Sequence, residues 1–386
     1  MIGLVITCII AVSAIVVIPN LSYVNLLYVD QQQLRNIALD TLKTMLLDSG
    51  YPANWGSSYN FDPDDVERFG LALAGSSSFY VLDPDKVQRL VVGNPAGVIE
   101  YEDIRTELKL QGYGFNFRII PPFKVIVNDI DFDGESNPIT LENLTNGVKV
   151  FVTYNAGSPI PKASVEATLF YVLDKTDFST TKASSSTDAL GKCIINLSDF
   201  NPEIQNPYDI SDFIIVFKVT VADVTTITSS YMEGFEQQHV MNASIVGENI
   251  TLAIPEGPGW EKGSAGTRWI DNVVVVNEEG VWIIYNGTRS NDDKITWGGA
   301  YWGWSRLFSG LSYLNPLFII INLSVPQPRR LVLFLGPDPN WSGSRVEAFG
   351  DPTGSGGASS AVKVQRDVII SGMTYIAELT LWKETP

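Results

Sequence analysis

Residues 1–29 read MIGLVITCIIAVSAIVVIPNLSYVNLLYV and contain no charged side chain. This run is longer than the roughly 20 apolar residues that cross a bilayer as a helix. Gly50 and Pro52 favour the end of a helix further along the chain. Between the run and these breakers, apolar residues continue at helical spacing: Leu34, Ile37, Ala38, Leu42, Met45 and Leu46. The pattern predicts one helix of about 48 residues within segment 1–50, first apolar all round and then amphipathic.

Three kinds of protein begin with a segment of this type. A secretory signal peptide is disfavoured because the run is too long and no basic residue precedes it. A plain membrane anchor is a second interpretation. Arg35 and Lys43 follow the run, so the positive-inside rule would then place the rest of the chain in the cytoplasm. The composition of that remainder favours the cell exterior, which conflicts with the anchor interpretation.

This segment resembles the N-terminal helix of mature type IV pilin-like proteins, the archaeal ones in particular. The matching features are the immediate apolar start, Pro19, and the change to an amphipathic half before a β-rich head. Residues 47–75 also look like the post-helix region of archaeal surface proteins with this kind of leader, and the resemblance extends to around residue 125. Val5 stands where bacterial pilins carry Glu.

The resemblance implies a helix that is held in the membrane before assembly and then forms the core of a homopolymeric filament. It also implies that Met1 is the processed N-terminus. The side chains that it assigns to polymerisation are Ile2, Leu4, Ile6, Ile9, Ile10, Val12, Ile15, Val16, Pro19 and Leu21.

Composition excludes several classes of function. The chain has 386 residues and a formal net charge of −17, which argues against nucleic acid and against anionic lipid head groups as partners of the head. Cys8 and Cys193 lie in the apolar helix and in a predicted strand, so no disulfide is expected. His239 is the only histidine, and the chain contains no P-loop, H-E-x-x-H, C-x-x-C or G-x-S-x-G motif. We therefore do not expect an enzyme.

The rest of the chain favours a mostly β protein of class α+β, in which β-sandwich head domains follow the long hydrophobic helix. Residues 157–165 (G-x-P-x-x-x-A-x-V) and 187–191 (T-D-x-x-G) resemble the immunoglobulin-like repeats of prokaryotic surface proteins. Short strands separated by turn signals agree with a sandwich there, with residues 179–187 as a Ser/Thr-rich loop. The predicted units are the helix 1–50, a mixed α/β segment 51–140, an immunoglobulin-like sandwich 141–233 and a C-terminal β-rich domain 234–386.

Asp129, Asp131 and Asp133, followed by Gly134, form the one metal-like motif. Acidic oxygens at alternate positions before a glycine turn can wrap Ca²⁺, but Thr140 stands where an EF-hand loop needs its twelfth-position Glu. Two interpretations stay open: a calcium site, and a strand end whose three carboxylates lie in water. No other cofactor is predicted.

Sequons and aromatic residues mark possible surface features. Sequons arise by chance, but their number outside the helix favours an exported protein that carries N-linked glycans. A cluster of Trp297, Tyr301, Trp302 and Trp304 suits carbohydrate stacking, core packing or a subunit contact. The candidate glycosylation sites are Asn143, Asn196, Asn242, Asn249, Asn286, Asn322 and Asn340.

The sequence thus predicts a pilin, meaning a structural subunit of an extracellular type IV pilus-like filament with glycosylated β-domains for adhesion. Its partners would be other copies of itself, the membrane before assembly, and a glycan or cell-surface ligand. The alternative is a membrane-anchored monomeric adhesin or glycan-binding protein. The two differ in whether the helix lies in protein or in lipid.

Overall fold

The chain folds into several β-sheets preceded by one helix of moderate length, as described by a computed structural model. The sheets are largely antiparallel, and the coarse prediction of a mostly β protein with an N-terminal helix is confirmed. The structure describes residues 29–57, 62–90, 97–127, 139–173, 177–200, 209–231, 240–255, 269–277, 279–287, 296–297, 301–311, 318–324, 330–335, 347–350 and 361–384.

The helices are short after the first one. They are α1 (29–47), α2 (Pro84–Gln88), α3 (Tyr101–Glu107), α4 (Leu141–Asn146) and α5 (Leu197–Phe200), with 3₁₀ turns at Trp55–Ser57 and Pro63–Asp65. The strands are β1 (Val81–Leu82), β2 (Tyr113–Ile120), β3 (Phe123–Val127), β4 (Val148–Tyr154), β5 (Ser164–Leu173), β6 (Asp177–Ser186), β7 (Lys192–Ile195), β8 (Ile210–Val221), β9 (Val224–Tyr231), β10 (Val240–Val246), β11 (Asn249–Pro255), β12 (Trp269–Val276), β13 (Val281–Asn286), β14 (Thr296–Trp297), β15 (Tyr301–Leu307), β16 (Phe318–Ser324), β17 (Arg330–Leu335), β18 (Glu347–Gly350), β19 (Ala361–Ile370) and β20 (Met373–Lys383).

Helix α1 is amphipathic, as its sequence predicts. Its buried side chains recur every three or four residues and join the largest apolar core, and its other face is exposed. Residues 1–28, with the polymerisation positions Ile2 to Leu21, lie outside the described residues. Within the described ranges, no helix has the length and apolar character that a membrane crossing requires. The buried face of α1 consists of Leu34, Ala38, Thr41, Leu42, Met45 and Leu46.

A five-stranded sheet carries this core and joins distant parts of the chain. Its order is β1-β19-β20-β2-β18, antiparallel except for the parallel pair β1–β19. In β20 the alternate residues Tyr375, Ala377, Leu379 and Leu381 are buried, as their spacing of two in the sequence predicts, and Glu378 and Trp382 of the other face are buried as well. This pairing crosses the predicted boundaries, since the final strands of unit 234–386 lie in the sheet of segment 51–140. The pattern of residues in a strand identifies the strand but not its partner. The sequence therefore does not predict that β20 pairs with β2.

The sheets β3-β4-β7 and β6-β5-β8-β9 share a second core, so they form the two layers of a sandwich. Strand β3 precedes the predicted unit 141–233 but pairs with its strand β4. The prediction of a loop at 179–187 is wrong, because residues 177–186 form β6, which pairs with β5 along its whole length. β-branched Thr residues suit an edge strand with one exposed face, although the segment is otherwise polar enough to suggest a loop.

Strands β5 and β8 are buried on both faces and connect the sandwich to the rest of the head. Val165 and Leu169 point into the sandwich core, whereas Phe170 and Val172 join the largest core together with Val274 and Ile320 of the next sheet. That sheet has eight strands in the order β13-β12-β16-β17-β10-β11-β15-β14. Residues from both of its halves share a third core, so the sheet folds over on itself.

Candidate functional site

We call the N-terminal end of α1, around Asp30, the root of α1. Here the uncharged segment of the sequence meets the folded part of the chain. Asp30 Oδ1 lies 3.6 Å from Lys383 Nζ, so the helix begins beside the end of β20. From there, the buried face of α1 packs into the largest core, and burying its side chains stabilises this attachment by on the order of 10 kcal/mol. Helix α1 is therefore attached to the five-stranded sheet through its apolar face.

The chain after α1 folds back tightly around two glycines. Gly50 has φ +74°, and a Cβ there would lie 2.6 Å from the carbonyl oxygen of Arg68. A Cβ on Gly70 would lie 2.2 Å from the carbonyl oxygen of Asp48. Trp55 closes the turn by donating its Nε1–H to the Gly70 carbonyl at 3.0 Å. The end of α1 is thereby fixed against the strand segment that leads to α2.

Helix α2 buries a lysine in this fold-back. The sequence predicts the helix through Asp83 as N-cap and Pro84 at the first helical position, and Asp83 Oδ1 accepts from the Asp85 N–H at 3.0 Å. Lys86 has no exposed side-chain surface, and its Nζ donates to the carbonyls of Ser49 and Ala72, both at 2.9 Å. Asp83 Oδ2 lies 3.4 Å from the same nitrogen. The lysine thus joins α2 to the segment that follows α1.

Arg89 and Gln88 extend the same network in two directions. The Arg89 side chain is fully buried and donates Nε–H and Nη2–H to the Gly56 carbonyl at 3.1 and 2.9 Å. Gln88 donates Nε2–H to the Ile245 carbonyl, and its Oε1 accepts from the Ile245 N–H at 3.2 Å. Asp85 Oδ2 accepts from the Gly247 N–H at 3.3 Å. A helix of five residues therefore contacts both the α1 fold-back and the β10–β11 hairpin.

Burial sets the ionisation of these groups. Desolvation, and next the charge of Asp83, raises the pKa of Asp85 to about 6 against the opposing effects of Ser57, Gly247 and Arg89. Desolvation also raises the pKa of Asp83 and lowers that of Lys86, although the two groups attract each other. It lowers the pKa of Arg89 to about 10. Each ionised form is less favourable here than in water.

The sequons fall into two groups by the position of their amide nitrogen, which is the atom that a glycan would modify. Asn143 is exposed and uses Oδ1 to accept from Thr140, completing a capping box at the start of α4. Asn286 is exposed and also accepts through Oδ1, from Asn272 at 3.1 Å. In both cases the Nδ2 group makes no hydrogen bond to another described residue.

In the second group the amide nitrogen donates a hydrogen bond to a neighbouring side chain. Asn322 is 1% exposed, and its Nδ2–H donates to Asn272 Oδ1 at 2.9 Å. Asn286, Asn272 and Asn322 lie opposite each other on β13, β12 and β16, so their amides form a ladder across three strands. Asn196 is half-buried, with Nδ2 donating to Asp199 at 3.3 Å.

Other predicted site residues have less structural context. Asp129, Asp131, Asp133 and Asn340 lie outside the described residues, and the side chain of Asn242 on β10 is also outside them. Asn249 is half-buried at the start of β11. Thr140 at the twelfth motif position is the N-cap of α4. In the ranges that the structure describes, no group of three or more His, Cys, Asp or Glu residues could hold a metal ion.

Cys193 is buried and forms no disulfide with a described residue, and desolvation raises the pKa of its thiol to about 11. This environment suits an inert core residue, because the thiolate is the reactive form of cysteine.

Of the predicted aromatic cluster, the backbone places Trp297 opposite Trp302 in the β14–β15 pair, and β14 ends the eight-stranded sheet.

The network around α2 is the feature that sequence reasoning missed. The sequence signal for this network was weak. It consists of the N-cap Asp83 followed by Lys86 and Arg89 at helical spacing, and such a pattern is typical of an exposed helix. The acceptors of Lys86 and Arg89 are main-chain carbonyls from turns, which no side-chain pattern identifies.

Comparison with known proteins shows no family. No protein-family model matches the chain, and no curated protein matches its sequence. Among solved structures, trypsin-activated alpha-2-macroglobulin from Escherichia coli aligns at 10% identity with a TM-score of 0.21, over 64% of this chain and 18% of that one. Human GIVD cytosolic phospholipase A2 aligns at 8% identity with a TM-score of 0.11, over 70% and 32%. The chain spans less than a third of either protein, and overlap this slight carries no argument about its fold or function.

Proposed function

We propose that the chain is a structural subunit of an extracellular, type IV pilin-like filament and polymerises through residues 1–28. One observation carries the proposal: an uncharged apolar run continues directly into a helix, α1, whose buried face is part of the head core. An apolar surface of this length must be covered by lipid or by protein. Covering it with copies of the same helix gives a filament whose heads face outward.

The root of α1 supports this assignment mechanically. A filament subunit transmits tension from the helix bundle to its head, and α1 provides a buried apolar face and the Asp30–Lys383 pair for that purpose. The exposed face of α1 carries Gln32, Arg35, Asn36 and Lys43, which suits water rather than lipid. We therefore place the change from the buried bundle to the solvated head near residue 29.

The finer fold assignments belong to the same proposal. The two-layer unit built from β3 to β9 is proposed to be an immunoglobulin-like sandwich, and the apolar run is proposed to be helical and continuous with α1. The exposed sequons Asn143 and Asn286 are proposed to carry N-linked glycans on the outer surface. The acidic net charge of −17 suits a surface that stays soluble outside the cell.

The test is filament formation by cells that express the full chain. Ile10→Glu and Val16→Lys place a charge in the interhelix surface and should abolish filaments in sheared material viewed by electron microscopy. Asn36→Glu adds a charge to the exposed face of α1 and is the matched control, with filaments as in the wild type. Normal filaments from the Ile10 or Val16 variant would overturn the proposal.

A second candidate is a membrane-anchored monomeric surface protein that binds glycans. The observation in its favour is the β14–β15 pair, where the backbone places Trp297 and Trp302 in register at the end of the eight-stranded sheet. Aromatic residues provide stacking surfaces for sugars. Wild-type chain that remains in the membrane fraction as monomers, and loses glycan-array binding in Trp302→Ala, would favour this candidate over the filament.

A further inference from the structure

The contact between α2 and the β10–β11 hairpin joins parts of the chain that are far apart in sequence. Gln88 pairs with both backbone groups of Ile245, as a neighbouring strand would. Asp85 accepts the Gly247 N–H in the adjoining turn, where Gly247 has φ +57°. This small polar contact connects the helix-bearing part of the head with the eight-stranded sheet.

The contact surrounds a carboxylate that also faces other charged groups. Asp83, Lys86 and Arg89 approach Asp85 from its own helix. From the fold-back after α1, Asp48 acts on Lys86 and the Ser57 side chain hydrogen-bonds to Asp85. From the hairpin, Glu248 is the nearest acid in sequence, but its Oε1 accepts from the Gly310 N–H at 2.6 Å.

We propose that Asp85 and Gln88 of α2, with Ile245 and Gly247 of the hairpin, form a proton-controlled latch that holds the hairpin on α2 more tightly in acid. The hairpin leaves α2 by local opening while the sandwich stays folded. The latch does not depend on filament assembly, so it stands or falls separately from the proposed function.

The direction of the pH effect follows from the pKa of Asp85 in the closed and the open latch. In the closed latch desolvation outweighs the Gly247 N–H, which favours the ionised carboxyl, and the pKa of Asp85 is about 6; once the hairpin leaves, both effects are lost and water returns the pKa toward its ordinary value of 3.8. The closed state therefore binds a proton more tightly, so lowering the pH favours closure. Between about pH 7.5 and about pH 5 the closing equilibrium should rise about tenfold.

Hydrogen exchange on the full chain in detergent micelles tests the latch. Peptides that cover residues 243–250 report the opening of the hairpin, and peptides within 164–173 of the sandwich are the internal reference. After correction for intrinsic exchange rates, protection of the hairpin should be about tenfold higher at about pH 5 than at about pH 7.5. Equal protection at the two pH values would overturn the proposal.

Two variants locate the effect. Asp85→Asn keeps the shape but cannot ionise, so hairpin protection should lose its pH dependence, whereas Asp64→Asn on the exposed surface should retain it. Retention of the tenfold ratio in Asp85→Asn contradicts the latch. Gln88→Ala removes the two hydrogen bonds to the Ile245 backbone. It should lower the protection of the hairpin at both pH values without affecting the protection of residues 164–173. Unchanged protection in that variant would also refute it.

Discussion

Helices α1 and α2 both contribute to the largest core, but they achieve burial by opposite chemistry. Helix α1 buries a face that is apolar apart from Thr41, and it leaves its charged side chains in water. Helix α2 is a quarter of that length or so, yet it buries Lys86 and Arg89 completely and relies on turn carbonyls to solvate them. The difference shows that whether a side chain can be buried here depends on hydrogen-bond acceptors from other parts of the fold as much as on the residue type.

The largest effect should come from Lys86→Met, which keeps the length of the side chain but removes its charge and donors. The Ser49 and Ala72 carbonyls would lose their partner, and buried Asp83 would lose its counter-charge, so we expect a loss of about 3–5 kcal/mol in the free energy of unfolding. Thermal unfolding monitored by tryptophan fluorescence measures it. The double variant Lys86→Met/Asp83→Asn should recover part of the loss. If Lys86→Met alone were as stable as the wild type, the buried polar contacts of α2 would not contribute to stability, and the contrast with α1 would not hold.

Leu42→Ala should cost about 3 kcal/mol, because it opens a cavity in the apolar face of α1. Its neighbour Lys43 is exposed, so Lys43→Ala should change stability by less than about 0.5 kcal/mol. The same unfolding experiment compares the two. Similar losses at positions 42 and 43 would mean that the face of α1 has been assigned wrongly.

Conservative exchanges sharpen the contrast further. Arg89→Lys retains the charge but loses the forked donors on the Gly56 carbonyl, so we expect a loss of about 2 kcal/mol. Leu42→Met retains volume and apolar character and should cost less than about 1.5 kcal/mol. Chemical denaturation of both variants decides the order. If Arg89→Lys is the better tolerated, hydrogen-bond geometry is unimportant at α2.

The smallest effect is expected at Asp30→Asn. The Asp30–Lys383 pair is exposed, and such pairs contribute about 0.5 kcal/mol or less at moderate salt. Any measured loss should disappear on adding salt, because screening weakens exposed pairs. A loss above about 1 kcal/mol that persists in high salt would show that the root of α1 depends on charge as α2 does.

The sequence predicts α1, α2 and the alternation of β20, because each depends on local spacing. Leu34, Ala38 and Leu42 recur at helical intervals, and Asp83-Pro84 is a local start signal. It does not predict that β20 pairs with β2, or that Asn322 is buried in an amide ladder. Those outcomes depend on which strands meet, and the side chains of a strand do not specify that. The polymerisation residues stay predictions, since they lie outside the described residues.

The position of β20 between β19 and β2 has a consequence for the order of events during synthesis. The sheet on which α1 rests is completed only when Tyr113 pairs with Lys383, near the end of the chain. Closing so long a loop is slow and comes late. The N-terminal segment is therefore synthesised well before the surface that holds α1 is complete. A chain that lacks β20 cannot complete this sheet, so α1 would lose part of the apolar surface against which it packs.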